Sequence, residues 1–242
     1  ITVACTSDVP APDITQVTAT DNCGTPTVSF VSDLWSGNCP RIITRTYQAE
    51  DSCGNTSTCT QIITVNDTIA PQITCPAAIT VACTSDVPAP DITLVTATDN
   101  CGTPTVTFVS DTWSGNCPRI ISRDYQAIDS CGNVATCTQI ITVNDTIAPQ
   151  ITCPAAITVA CTSDVPAPDI IQVTATDNCG TPTVTFVSDL WSGNCPRIIT
   201  RTYQAEDSCG NTSTCTQIIT VNDTIAPQIT CPAAITVACT SD

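Results

Sequence analysis

The octet ITVACTSD opens the chain at Ile1 and recurs at Ile79, Ile157 and Ile235, a spacing of 78 residues each time. The chain is therefore three copies of one 78-residue unit followed by the start of a fourth. A period of this length makes each copy a structural unit stacked on its neighbours, so the repeat must be settled before any local pattern is read. Copies one and three differ at two positions, Thr15 against Ile171 and Ser29 against Thr185, while copies two and three differ at eight. Similarity this high points to recent duplication, so only the differences inform. Beginning and ending on one octet predicts that the chain is cut from a longer periodic array.

A 78-residue unit has a marginal core. Each copy brings only Phe30, Trp35 and Tyr47 or their equivalents as aromatics, and six cysteines, the usual remedy for a thin core. Nineteen cysteines predict disulfides and an oxidising, extracellular setting. Zinc is a poor reading, because there is no histidine and no close Cys-x-x-Cys pair. Six arginines face 22 carboxylates, a net charge of −16. That argues against nucleic acid, whose phosphates need a basic footprint, and leaves room for divalent cations. No apolar run is long enough to span a membrane. The lack of histidine and lysine removes Ser-His-Asp, Cys-His and Schiff-base chemistry, so an enzyme is not expected.

The expected domains are 1–66, a repeat lacking its first strand segment; 67–144 and 145–222, complete repeats; and 223–242, the first strand of the next. Within 67–144, runs rich in Val, Ile and Thr and bounded by Pro, Gly, Asn and Asp read as five strands: 72–83 broken by Pro76, 92–98, 105–110, 119–127 and 138–143. The fold class is all-β: tandem immunoglobulin-like β-sandwiches, disulfide-stapled, arranged end to end as a rod or fibre. At about 3.3 Å per residue, strands with their turns and joint give an axial step of roughly 30–45 Å per repeat.

Positions that vary between copies on one strand, Thr44/Ser122, Thr46/Asp124 and Glu50/Ile128, share a parity and should face water. Ile43, Arg45, Tyr47 and Ala49 then face inward. Arg45 either snorkels to an edge or pairs with a carboxylate. Val28 and Phe30 should point inward, and Trp35 should serve core or joint packing.

Strands alternating up and down place certain cysteines at the same end. That topology predicts the pairs Cys5–Cys39, Cys23–Cys53, Cys75–Cys137, Cys83–Cys117, Cys101–Cys131, Cys153–Cys215, Cys161–Cys195 and Cys179–Cys209. It leaves Cys59, Cys231 and Cys239 unpaired, as a cut through a periodic disulfide polymer would. A rival pair, Cys59–Cys75, would bridge neighbouring units.

The order DTIAPQITCP, ATDNCG, R-x-Y-x-A-x-DSCGN and CTQIITVND resembles the hyalin repeat and related immunoglobulin-like modules. The form with DNCG and DSCG cysteines looks like the tandem repeats of giant surface and gliding-type adhesins of Bacteroidota. The resemblance implies an extracellular, adhesive or structural cell-surface role, and a cysteine of CP paired with one on the last strand, as in Cys75–Cys137.

The joint VNDTIAP resembles calcium-binding linkers. Candidate ligands are Asn66, Asp67 and Asp99, with Asn144, Asp145 and Asp177 one repeat on, although calcium needs six to eight oxygens. No cofactor is otherwise required. Asp-Thr-Ile matches a bacterial O-glycosylation pattern at Thr68, Thr146 and Thr224. Asn55, Asn66, Asn144, Asn211 and Asn222 lie in N-x-[ST] sequons, expected to be unused in a bacterial source.

The function expected is a structural, adhesive surface filament whose partners are copies of itself, along or beside a fibre, together with surface glycans or other cells. The alternatives are an array of glycan-binding modules and a passive stalk presenting a distal adhesin. Loops unchanged between copies favour the filament.

Overall fold

A computed structural model describes residues 1–238; Cys239, expected to be unpaired, lies outside them. The chain divides into two compact units, Ile1–Asn144 and Asp145–Asp242. The first holds residues 1–66 and one full 78-residue period, 67–144. The second holds the third repeat and the 223–238 tail.

In the first repeat β1 (Thr2–Val3), β2 (Thr27–Ser36), β3 (Arg41–Glu50) and β4 (Thr56–Val65) form a sheet in the order β1-β4-β3-β2. The second repeat adds β5 (Gln72–Thr74), β6 (Ile79–Val81), β7 (Thr96–Thr98), β8 (Thr105–Ser114), β9 (Arg119–Ile128) and β10 (Val134–Val143). Here β6-β10-β9-β8 make the four-stranded sheet, and β5 pairs with β7 in a second sheet. The third repeat follows the same plan with β11 (Gln150–Thr152), β12 (Ile157–Val159), β13 (Thr174–Thr176), β14 (Thr183–Gly193), β15 (Arg197–Glu206) and β16 (Thr212–Val221). The protein is thus all-β, built of tandem disulfide-bonded repeats, of which the second and third each show both sheets of the sandwich.

The simple up-and-down meander is corrected. The run 72–83 is two strands, not one, because the Pro76 interruption moves the chain from one sheet to the other. There β6 lies parallel to β10, with Ile79 opposite Ile141 and Val81 opposite Val143. The run 92–98 also divides, into a short 3-10 turn at Ile92–Leu94 and then β7.

The face assignment from copy differences matches the structure. Ile43, Arg45 and Tyr47 are buried on β3, and Ile63 and Val65 meet Ile43 from β4. Each repeat has a core of this size, Ile121–Ile141–Val143 and Ile199–Ile219–Val221 being the others. Three aliphatics per repeat, each contributing about 1.5–3 kcal/mol on burial, cannot by themselves hold 78 residues in one conformation.

Arg45 takes the second of its two alternatives. It is buried, donates from Nε and Nη2 to both oxygens of Asp33 at 2.9 Å, and donates from Nη1 to the Pro10 carbonyl at 2.8 Å. Arg123–Asp111 and Arg201–Asp189 repeat the arrangement. The hydrogen bonds to Asp33 raise the Arg45 pKa, and burial only partly opposes them.

Two inward expectations are corrected. Phe30 is 40% exposed and meets the Tyr47 ring edge-on, beside a break in strand register between Phe30 and Ser32. Trp35 is 43% exposed, with the Arg41 guanidinium 5.8 Å from its ring centre. Past the irregularity, the end of β2 projects beyond the small core and leaves its aromatic ring in solvent.

Candidate functional site

The cysteines show how one repeat is fastened to the next. Cys5 follows β1 and Cys39 precedes β3, and Val3 and Arg41 both lie opposite Val65, so both cysteines sit at one end of the first repeat. Cys101 and Cys131 sit at the opposite end of the second repeat, where β8 and β10 both begin opposite Ile128. The structure joins Cys5 to Cys101 and Cys39 to Cys131, across sequence separations of 96 and 92 residues.

These bridges overturn Cys5–Cys39 and Cys101–Cys131. Cys5 and Cys39 do share one end of their repeat, and Cys101 and Cys131 one end of theirs, but the two at each end are presented to the neighbouring repeat instead of to each other. Cys23–Cys53 and Cys161–Cys195 are overturned with them: all four are free and exposed, and their counterparts Cys101, Cys131, Cys5 and Cys39 bond between repeats instead of within one. Cys75–Cys137 and Cys153–Cys215 are bonded within their repeats. Cys83, Cys117, Cys179 and Cys209 are also in disulfides. Cys59 and Cys231 are free and exposed, and the rival Cys59–Cys75 pair is excluded by the Cys75–Cys137 bond.

Local sequence explains why these cysteines point outward. In DNCG, the Asp99 carboxylate accepts the Cys101 N–H at 2.9 Å; in DSCGN, Asp129 accepts the N–H groups of Cys131 and Asn133 at 2.8 and 2.9 Å. These are Asx turns, in which the side chain substitutes for a backbone acceptor. Gly132 closes the second at φ +87°, a conformation that glycine adopts without steric cost. Cys5 is fixed by the following TSD turn, where Asp8 accepts its N–H at 3.0 Å. On the Cys39 side, Gly37 packs so closely that a Cβ would lie 2.7 Å from the Pro40 carbonyl oxygen.

Beside the Cys5–Cys101 bridge lies an acidic nest. Asp67, only 4% exposed, accepts from Ile69 N and Asn100 Nδ2 through Oδ1, both at 3.1 Å. Its backbone carbonyl accepts from Asn133 at 3.1 Å. Asp67 Oδ2 and Asp99 Oδ1 are buried and have no hydrogen-bond partner. One oxygen each of Asp67 and Asp99 and the Cys101 sulfur lie within 4.8 Å of one another. The sulfur is in a disulfide and is no thiolate ligand, which leaves the two carboxylates. In the third repeat Asp145, Asp177 and Asp207 cluster in the same way, and Asp145 Oδ2 and Asp177 Oδ1 are again buried without partners. Asn211 donates to the Asp145 carbonyl at 3.0 Å, and Asn178 to Asp145 Oδ1 at 3.2 Å.

The structure therefore brings together Asp67 with Asp99 and Asp145 with Asp177. It does not turn Asn66 or Asn144 toward them: the Asn66 side-chain oxygen lies 3.9 Å from the Cys39 sulfur, and that of Asn144 3.8 Å from Cys117. Asn100, Asn133 and Asp207 were missed. The signal was present in the Asn of DNCG and the Asp and Asn of DSCGN, but the turns that bring them to Asp67 and Asp145 are far along the chain. Burial alone would raise the Asp207 carboxyl; hydrogen bonds from Asn211, Cys209 and Gly210 outweigh it and hold the group below its ordinary value. Asp129 behaves likewise. Thr68, Thr146 and Thr224 are exposed.

No protein-family model matches the chain, that of the hyalin repeat included, and no curated protein matches it. Among solved structures it is similar to the human desmocollin-1 ectodomain, at 12% identity and TM-score 0.32, covering 94% of this chain and 60% of that one. It is also similar to Drosophila N-cadherin EC1-4 (14%, TM-score 0.30, 80% and 59%) and to protocadherin gammaB7 EC3-6 (15%, TM-score 0.32, 80% and 66%). The chain spans less than two thirds of each. These are tandem cadherin ectodomain repeats; at such scores the likeness carries no argument about function, and the fold rests on the strand order above. Among the described residues no helix is long and apolar enough to cross a membrane.

Proposed function

We propose that the protein is the repeating part of an extracellular structural and adhesive filament, of the hyalin-like kind suggested by its motifs. The observation that carries the reading is the pair of bridges Cys5–Cys101 and Cys39–Cys131, which fasten one repeat covalently to the next. A chain whose successive repeats are cross-linked resists unfolding under tension: loops of this length contribute about 4–5 kcal/mol each in the chain-entropy account. Such bonds persist only in an oxidising compartment. The partners in this reading are copies of the same repeat along or beside a fibre, with glycans or other cells as adhesion targets. Thr68, Thr146 and Thr224 are the exposed positions for O-glycans. Electron cryo-microscopy of the native material, kept from reductant, tests it. Thin filaments with an axial step of roughly 30–45 Å are expected; discrete globular particles would sink the reading.

A divalent cation, most simply calcium, belongs to this function. Two carboxylates with buried, unpartnered oxygens repel each other, and each such oxygen costs at least ~1–3 kcal/mol when left unsatisfied. A hard cation with oxygen ligands relieves both costs. Asp67 and Asp99 would hold it in the second repeat, and Asp145, Asp177 and Asp207 in the third. Bound there, it would neutralise the joint and stiffen it.

A further inference from the structure

The acidic nest and the bridges at the joint share one enclosure. A cavity of about 80 Å³ lies between the first and second repeats. Both bridges line it, with Thr6 and Asn38 from the first repeat and Asp67 and Ser130 from the second. It has room for a cation and one or two waters of about 30 Å³ each. Asp67, 4% exposed, keeps its Oδ2 without a hydrogen-bond partner, and the buried Oδ1 of Asp99 has none either.

Asn100 ties the nest to one bridge. Its Nδ2 donates to Asp67 Oδ1 at 3.1 Å and lies 2.9 Å from the Cys101 sulfur and 3.5 Å from that of Cys5. Its carbonyl oxygen lies 3.3 Å from the Cys5 sulfur. Asp99 holds the same turn by accepting the Cys101 N–H at 2.9 Å. One oxygen each of Asp67 and Asp99 and the Cys101 sulfur lie within 4.8 Å of one another.

The carboxylate pair and the cysteine pair straddle the joint in the same way. Asp67 follows Val65, which lies opposite Val3, so Asp67 and Cys5 stand at one end of the first sheet. Asp99 and Cys101 belong to a single turn of the second repeat. Whatever separates Asp67 from Asp99 therefore draws Cys101 away from Cys5. Two like charges buried this close repel strongly, because the interior screens them poorly. The closed bridge holds the turn against that push, and the open bridge lets the turn lift. A cation between the carboxylates reverses the push and seats Cys101 against Cys5.

We infer that cation binding at Asp67 and Asp99 and closure of the Cys5–Cys101 bridge are coupled: calcium protects the bridge from reduction, and the closed bridge tightens calcium binding. The inference rests on the cation reading above and adds to it the redox state of the joint. The coupling is reciprocal, as any linkage between two binding equilibria must be. Opening the bridge breaks one S–S bond and forms two thiols, with two electrons and two protons supplied by two glutathione molecules that leave as oxidised glutathione.

The test uses the 242-residue chain with Asp145→Asn, which silences the corresponding nest of the third repeat. The protein is equilibrated in glutathione buffers of graded ratio, with calcium chloride or a chelator, then quenched in acid, alkylated and mapped. Calcium should raise the ratio of reduced to oxidised glutathione at which Cys5–Cys101 is half open by about 5–150-fold, the range of a coupling between sites. Cys75–Cys137, which lies within the second repeat, should not shift. Asp99→Asn keeps an oxygen to accept the Cys101 N–H but removes the repulsion. It should move the calcium-free midpoint towards the calcium-bound one and abolish the response to calcium. Cys5→Ser with Cys101→Ser should weaken calcium binding by the same factor, read by calorimetry, and Cys39–Cys131 still joins the repeats in that variant. Calcium binding with an unmoved Cys5–Cys101 midpoint, an equal shift at Cys75–Cys137, or undiminished affinity in the double serine variant would each overturn the coupling and leave the cation reading standing. No calcium binding to the chain with its Asp67 and Asp99 intact would overturn both.

Discussion

Arg123 and Asp111 face each other across β8 and β9 and are joined by two parallel hydrogen bonds, from Nε at 2.9 Å and from Nη2 at 2.8 Å. The arginine is 3% exposed and its third nitrogen, Nη1, donates to the Pro88 carbonyl, so the pair ties the loop before β7 to the sheet. Removing one partner strands a buried charge. Asp111→Asn or Arg123→Met should each destabilise by about 3–5 kcal/mol, whereas the double replacement Arg123→Met with Asp111→Leu should recover most of the loss. Denaturant unfolding of the four proteins checks this, and a double variant as unstable as the singles would contradict it.

The joint connectivity predicts a disulfide map. Proteolysis without reduction should release peptides linking Cys5 to Cys101 and Cys39 to Cys131, and none linking Cys5 to Cys39. Replacing Cys75 and Cys137 together by alanine should cost about 2–4 kcal/mol, read as a lowered thermal midpoint.

The DSCGN turns should loosen in acid. Hydrogen bonding, against the opposing effect of burial, holds the Asp129 and Asp207 carboxyls below the ordinary value of 3.8. A carboxyl depressed in the folded state contributes stability that is complete above its unfolded pKa and is lost as pH falls through its folded one. Thermal midpoints should therefore be flat from neutrality down to about pH 4 and fall below it. Asp129→Asn should flatten part of that fall.

Calcium should stabilise the joints. At a hundredfold excess over its dissociation constant a bound ion adds about 2.7 kcal/mol, so calorimetry should show a raised midpoint with calcium and a return on chelation. Asp67→Asn with Asp145→Asn should remove the shift while leaving the disulfide map unchanged. No calcium-dependent shift in the parent chain would dismiss the ion.

The repeat, its strands, the inward face of Ile43, Arg45 and Tyr47, and the need for disulfides were legible in the sequence, because they depend on local chemistry and on period. Cysteine count and spacing placed Cys5 with Cys39 at one end of a repeat and Cys101 with Cys131 at the other. They could not choose partners, since that choice depends on what lies across the joint. Asp67 and Asp99 could be suspected from VNDTIAP, but Asn100 and Asn133 join them only because the DNCG and DSCGN turns fold to the same end. Phe30 and Trp35 obeyed the strand alternation only as far as a break in register that no sequence pattern announced. The sequence by itself determined a disulfide-dependent β-repeat with too small a core to stand alone. The tertiary structure decided that the cysteines fasten neighbour to neighbour, because the two ends of a repeat carry thiols that meet only when another repeat is placed against them.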